Sequence, residues 1–390
     1  MFSSRTDWNF EENLLARLVR EQRKRGEAIL DLTDTNPTRC GLSAPSWILE
    51  SLGGTASLVY EPDPKGLAET RSAIARYYQE TGSSVDPDAI ILTASTSEAY
   101  SFLFRLLCNQ GDEILVPRPG YPLFDILASC NDIRPVPYDL RYDGEWHIDT
   151  DSVRSHFSDR TRAIVTVTPN NPTGSFLKKD EWRALEGIAA DRACAVIADE
   201  VFSPFPFERH DGRASSLASS STVLTFTLNG LSKLAGLPQM KLAWITVNGP
   251  PTERTEALKR LEMISDSLLS VATPIQHAAP KILREHRTFS DPILDRVRGN
   301  YARLLSRVNP GTGISVLACE AGWSSMLQVP ATRSDEAWAL DLLDHEHILA
   351  HPGHFYDCVN GTFLVISLLP RPEVFVRAVD TLARFVTSRS

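Results

Sequence analysis

The stretch AIVTVTPNNPTGSFLKKDEWRALEGIAADRACAVIADEVF, Ala163 to Phe202, decides the fold. It opens with an apolar, β-rich run, Ala163–Val167, which breaks at a turn rich in Pro and Asn. A helix-like segment follows, and a second apolar run, Ala195–Ala198, ends on Asp199 and Glu200. Short strands alternating with helices build a parallel sheet. The pattern extends in both directions. Ala89–Leu92 and Glu113–Val116 lie upstream, and Val223–Phe226 and Leu242–Val247 lie downstream. Turn residues bound each run, and helix-like stretches separate most of them. The expected architecture is α/β, a mostly parallel sheet covered by helices.

The texture changes after about residue 255. A long helical stretch, Thr252–Ser270, leads into further helices, including Ser334–His345 and Pro372–Thr387. Strands are expected at Ser324–Val329 and Phe363–Leu368, which gives a smaller α+β domain. The first 25 residues read as an arm with one amphipathic helix carrying Leu14, Leu15 and Leu18. A turn-rich segment, NPTRCG (Asn36–Gly41), follows it. At 390 residues the chain exceeds one ordinary domain. The expected division is an arm over 1–45, a large domain over 46–275 and a small domain over 276–390. The arm is expected to pack with the small domain.

Composition narrows the function classes. Lys and Arg total 40 against 49 Asp and Glu, for a net charge of -9. A nucleic-acid surface would need a basic stripe instead. The six cysteines are scattered singly, with no CxxC pair and no Cys/His cluster. They are expected as reduced thiols, with no metal site. MFSSRTDWNF lacks the apolar core of a secretory leader, and no stretch approaches a membrane span. The expected location is the cytoplasm.

The distinctive polar residues sit just after the apolar runs. Thr93–Ser97 follow the first, and Tyr121 lies past the second. Asn170 and Asn171 follow the third, Asp199 and Glu200 the fourth, and Ser232 and Lys233 the fifth. In open α/β sheets, ligands bind beyond the carboxyl ends of the strands. Any one cluster could be a solvated loop; five in phase predict one convergent site.

Three blocks, SKLAGLPQMKLAW (Ser232–Trp244), NNPTG (Asn170–Gly174) and ADEVF (Ala198–Phe202), give the site a chemistry. Together, and in their spacing, they resemble the fold-type I, class I/II aminotransferases, which depend on pyridoxal 5′-phosphate (PLP). The resemblance runs from about Tyr60 to Lys241, with a weaker echo to the C-terminus. It implies a mostly parallel seven-stranded sheet in the large domain, and it implies site roles. Lys233 would hold the cofactor as a Schiff base and, once released, move the substrate's Cα proton. Asp199 would keep the ring nitrogen protonated by charge pairing. A buried strand-end carboxylate is costly unless paired, which favours that role. Asn171 would donate to the ring's phenolic oxygen, and Tyr121 would stack on the ring.

Thr93–Tyr100 (TASTSEAY) places Ser95 and Thr96 at a predicted helix N-terminus. Free N–H groups and the dipole favour an anion there; a plain N-cap is the alternative. Ser232 and Lys241 would add phosphate contacts. Tyr60 resembles the family tyrosine that reaches the neighbouring subunit's phosphate, which implies a homodimer with shared active sites.

The sequence departs from the family at four places. Lys241 stands where arginine is usual, so a point charge replaces a planar fork. Phe202 replaces a tyrosine that donates to the phenolic oxygen, and Gly230 replaces a Ser or Thr that often contacts the phosphate. Finally, the family's arginine for the substrate α-carboxylate is missing from FLVISLL, where Val365 or a neighbour takes its place. Arg39 and Arg371 are the candidate substitutes. His354 and Tyr356, in HPGHFYD, are candidates for reading a less charged substrate.

Phe202 carries a prediction. A hydroxyl that donates to the phenolate lowers its pKa, so Phe202→Tyr should lower the pH midpoint of the lysine-bound cofactor's absorbance by about one unit. A spectroscopic pH titration of both proteins checks this.

The leading reading is ping-pong transamination between an amino acid or amine and a 2-oxo acid. A PLP-dependent lyase, such as a β-eliminating one, or a decarboxylase is the alternative on the same scaffold. A non-catalytic PLP-binding regulator is a third reading. The acidic charge and the short stretch before the first apolar run weigh against it.

Overall fold

The structure, a computed structural model, describes every residue except Arg209, Asn309 and Ser390. Strand β1 (Leu30–Asp31) lies in the N-terminal arm. Eight strands then follow in sequence: β2 (Ile90–Thr93), β3 (Glu113–Arg118), β4 (Arg134–Tyr142), β5 (Trp146–Ile148), β6 (Thr161–Val167), β7 (Ala195–Asp199), β8 (Thr225–Gly230) and β9 (Ala243–Asn248). They form one sheet in the order β2-β9-β8-β7-β6-β3-β4-β5. A second sheet uses β10 (Ser315–Val316), β11 (Ser324–Gln328), β13 (His351–Pro352) and β14 (Phe363–Ser367), while β12 (Ile348–Leu349) pairs with β1.

Every position of β7 and β8 is buried. A strand covered on both faces must be apolar on both, so these runs do not alternate. Ile197, Phe226 and Ile245 pack under the helices Thr96–Leu107 and Pro251–Asp266. Val196 and Ala198 pack on the other face with Leu185 and Ile188 of the helix Lys179–Arg192.

Eight strands form where seven were expected. The addition is β5, which forms a short antiparallel hairpin with Leu140–Tyr142. β4 is hard to read in sequence because Pro135 and Pro137 interrupt it. It tolerates them because β3 takes Arg134–Asp139 on one side, while β5 pairs only with Leu140–Tyr142 on the other. The strand expected at Val223–Phe226 starts at Thr225 and runs on through Asn229 and Gly230.

The arm packs on the C-terminal part. Leu15 joins the core that contains Trp338, Leu342 and Leu343, and Gln22 Nε2 donates to the Leu343 carbonyl at 2.7 Å. Two glycines set close approaches. Gly174 of NNPTG has φ 71°, and a Cβ there would meet Cys319 Sγ at 2.2 Å. Its carbonyl accepts from Glu320 N–H at 3.3 Å. The Glu320 carboxylate in turn binds Lys178 and Arg213, so the segment before β11 is fastened to the large sheet's loops. A Cβ at Gly230 would lie 2.8 Å from the Ala243 Cβ. Packing between β8 and β9 thus excludes a side chain where a Ser or Thr is common in the family. No helix among the described residues is long and apolar enough to cross a membrane.

Candidate active site

Strand direction gathers the candidate residues at one sheet edge. β3, β4, β6, β7 and β8 run parallel. β9 is antiparallel to both β8 and β2, so β2 shares the common direction. Ser95, Tyr121, Asn171, Asp199 and Lys233 therefore all follow or end strands at the same edge. Because β9 runs against the rest, its beginning lies there too, and that brings Lys241 to the group.

Asp199 ends β7 and is buried. Its Oδ2 accepts from the Tyr100 hydroxyl at 3.0 Å and its Oδ1 from Val201 N–H at 3.1 Å. Burial pushes the carboxyl up to about 6, while these two donors and the Lys233 charge pull it down. Burial lowers the Lys233 pKa, and Asp199 opposes that shift. Lys233 sits in the short helix Leu231–Leu234, directly after β8. Its Nζ lies 4.9 Å from the Trp323 ring centroid and 5.5 Å from that of Phe202. The amine is thus boxed by aromatic faces and held near a carboxylate.

Ser95 caps the helix Thr96–Leu107 by accepting from Glu98 N–H at 3.1 Å. The cap leaves room for an anion, since Thr96 and Ser97 lie in the first turn, whose N–H groups have no partner inside the helix. Glu98 folds back toward that end, its Oε2 accepting from Ala94 N–H and Ser270 Oγ, both at 2.6 Å. Asn170 is spent on its own turn, accepting from Thr173 N–H and Oγ1. The Asn171 side chain makes no hydrogen bond among the described residues, which leaves its amide available.

Ser232 is half-buried and Lys241 is exposed, with φ 52°. Tyr121 is 44% exposed and Tyr60 is 78% exposed. Arg39 is already paired along one edge, its Nε and Nη2 both donating to the Asp34 carboxylate at 2.9 Å. Arg371 packs against Gly41, on the same loop. His354 turns outward, its N–H and Nδ1 both on Asp335. Val365 is buried on β14, opposite Met326 and His351. Tyr100, Trp323 and His351 escaped the sequence reading. Tyr100 is one helical turn past the cap, a signal that was legible. Trp323 is remote in sequence from every motif.

These residues can hold PLP. A buried, poorly compensated carboxylate suits a protonated ring nitrogen, a desolvated lysine suits a carbonyl, and a helix N-terminus suits a phosphate. The family model for aminotransferase class I and II matches residues 49–381. The chain belongs to the class I and II aminotransferases. This aminotransferase is 30% identical over 377 residues to the glutamate-pyruvate aminotransferase AlaA of Haemophilus influenzae, covering 93% of this chain and 91% of that one. A solved aminotransferase from Escherichia coli superposes with a TM-score of 0.88 at 27% identity, covering 99% of this chain and 98% of that one. An alanine aminotransferase from Pyrococcus furiosus gives 0.87 at 27% identity, with both chains fully covered. The aminotransferase uses PLP and catalyses transamination. The three relatives named here give no support to elimination or decarboxylation.

Proposed function

We propose that Lys233 is the amine that would hold the cofactor, at the site where an amino acid and a 2-oxo acid exchange an amino group. The observation that carries this is one sheet edge holding the half-buried Lys233 amine, set against the Trp323 and Phe202 rings, and the buried Asp199 carboxylate, whose charge acts on it. Bound PLP supplies a carbonyl for the amino group and a conjugated ring that takes up the charge left at the substrate's Cα. Lys233 Nζ takes the Cα proton and returns it. Asp199 holds the proton on the ring nitrogen, with Tyr100 fixing the carboxylate's orientation. The Asn171 amide would donate to the phenolic oxygen, and the Tyr121 ring would stack on the cofactor ring. Ser95, Thr96, Ser232 and Lys241 would hold the phosphate.

A relative named for glutamate and pyruvate makes these the first substrates to try. Glutamate added alone to the loaded enzyme should convert the cofactor to its amine form, and pyruvate should restore the original absorbance. Release of pyruvate and ammonia from an amino acid, without the amine form, would count against transamination.

The site is shared by two chains in this reading. Leu58, Val59 and Tyr60 are exposed, as are Leu268 and Leu269. Tyr60 and Leu269 border the same small cavity, next to Ser270, which binds Glu98 in the phosphate helix. A second copy covering this surface brings its own Tyr60 to the neighbour's phosphate. Sedimentation should give a dimer. Tyr60→Phe should weaken cofactor affinity about tenfold, the value of one hydrogen bond to a charged group; unchanged affinity would remove Tyr60 from the site.

A further inference from the structure

Transamination consumes a 2-oxo acid, so a carboxylate must be bound at every turnover, yet the face that would carry its arginine is apolar. Val365 packs with Met326, Phe363, Leu317 and Trp146. The register places His351 of β13 directly across from Val365 of β14. Directly opposed residues project to the same side of a sheet, with Cβ atoms about 5 Å apart. His351 therefore stands one strand away from the missing arginine, on the same face.

His351 does not act alone. Its Nδ1 lies 3.1 Å from the Tyr356 hydroxyl. The Tyr356 carbonyl accepts from Gly120 N–H at 3.0 Å, which fastens it beside Tyr121. Tyr121 lies within electrostatic reach of both Asp199 and Tyr356. The pair thus borders the same site as the cofactor residues. We propose that the His351–Tyr356 pair binds the substrate carboxylate by hydrogen bonding, in place of the arginine. This rests on the transamination reading above.

The pair presents a donor in either arrangement of its protons. If His351 Nδ1–H donates to the Tyr356 oxygen, the Tyr356 O–H is free. If Tyr356 donates to Nδ1, the His351 Nε2–H is free. A groove of about 650 Å³ opens on His351 and Phe355 and is walled by Arg20, Arg23 and Lys24. Arg20 is paired with Glu12, and Arg23 stands 3.9 Å from Asp31. A hydrogen-bonded carboxylate site is less selective for charge than a guanidinium fork, which suits an enzyme that takes small acids.

The test uses the cofactor-loaded enzyme and the variants Tyr356→Phe and His351→Leu. The first removes one hydroxyl and little volume. KM for pyruvate should rise ten- to hundredfold in each, with kcat within about threefold of the parent. The dissociation constant of propanoate, a carboxylate that cannot react, should rise by the same factor, read from the shift it causes in cofactor absorbance. The propanoate measurement is independent of turnover, so it judges the pair even if transamination of glutamate and pyruvate fails. Unchanged propanoate binding in both Tyr356→Phe and His351→Leu would overturn the proposal. So would a fall in kcat together with loss of the lysine-bound cofactor's absorbance, since that marks a structural role.

Discussion

Lys233→Ala is expected to lose the absorbance of the lysine-bound cofactor and to lower kcat by roughly 10⁴-fold, the upper range for a positioned proton-transfer group. Two functions converge on one nitrogen, so both losses come together. The fold should persist. The Lys233 side chain makes no hydrogen bond among the described residues, and its neighbours Leu231 and Leu234 supply the packing of the short helix. Removing a desolvated amine from beside Trp323 and Phe202 also removes a burial cost. Far-ultraviolet circular dichroism should match the parent, and an added primary amine should restore a small part of the rate. A variant that keeps both the absorbance and the rate would move the anchor elsewhere.

The second large effect belongs to Asp199. Asp199→Asn should lower kcat by about 10³-fold, the scale of removing one preorganised electrostatic partner. It should also change how the cofactor-free protein responds to pH. Burial raises the folded-state pKa of Asp199 from 3.8 to about 6. Between these values the folded protein holds a proton that the unfolded chain has released. Stability from this group is therefore present below about 4 and is lost as pH rises to about 6. At about 1.4 kcal/mol per pKa unit, the loss is on the order of 3 kcal/mol. Glu200, raised to about 7 by burial, acts in the same sense over the adjoining range. Thermal melts of cofactor-free protein from pH 4 to 7 should show a falling melting temperature, with a shallower slope in Asp199→Asn. Loading PLP should flatten the parent's slope, because the ring's positive charge compensates the carboxylate. Identical slopes in parent and variant would mean that Asp199 titrates normally.

Most of the site was legible because it obeys a periodic rule. Strands that are apolar throughout stop at turns, and the polar residue after each stop is placed by topology alone. That rule placed Asn170–Asn171, Asp199–Glu200 and Ser232–Lys233 at one edge without any contact information; choosing Asn171, Asp199 and Lys233 among them rests on the family resemblance. The rule failed where position depends on an opposed strand. His351 and Val365 are 14 residues apart, and only their register makes them neighbours. Arg39 fits a clamp by residue type, but Asp34, five residues earlier, already takes its Nε/Nη2 edge. His354 and Tyr356 share one short motif, yet one ring turns to Asp335 and the other to His351. β4 was hidden because proline opposes a strand everywhere except at an edge.

The reversed direction of β9 bears on when the site comes into being. Lys233 and Lys241 are supplied by a single strand–turn–strand unit of short sequence separation, which closes quickly. Asp199 is oriented by Tyr100, 99 residues earlier in the chain, a contact that forms only when the distant strands have joined. The proposed anchor and phosphate lysine are thus expected to come together early, and the proposed ring-nitrogen partner late. Tight capture of the cofactor is a property of the completed sheet, and holo-enzyme formation follows folding instead of nucleating it.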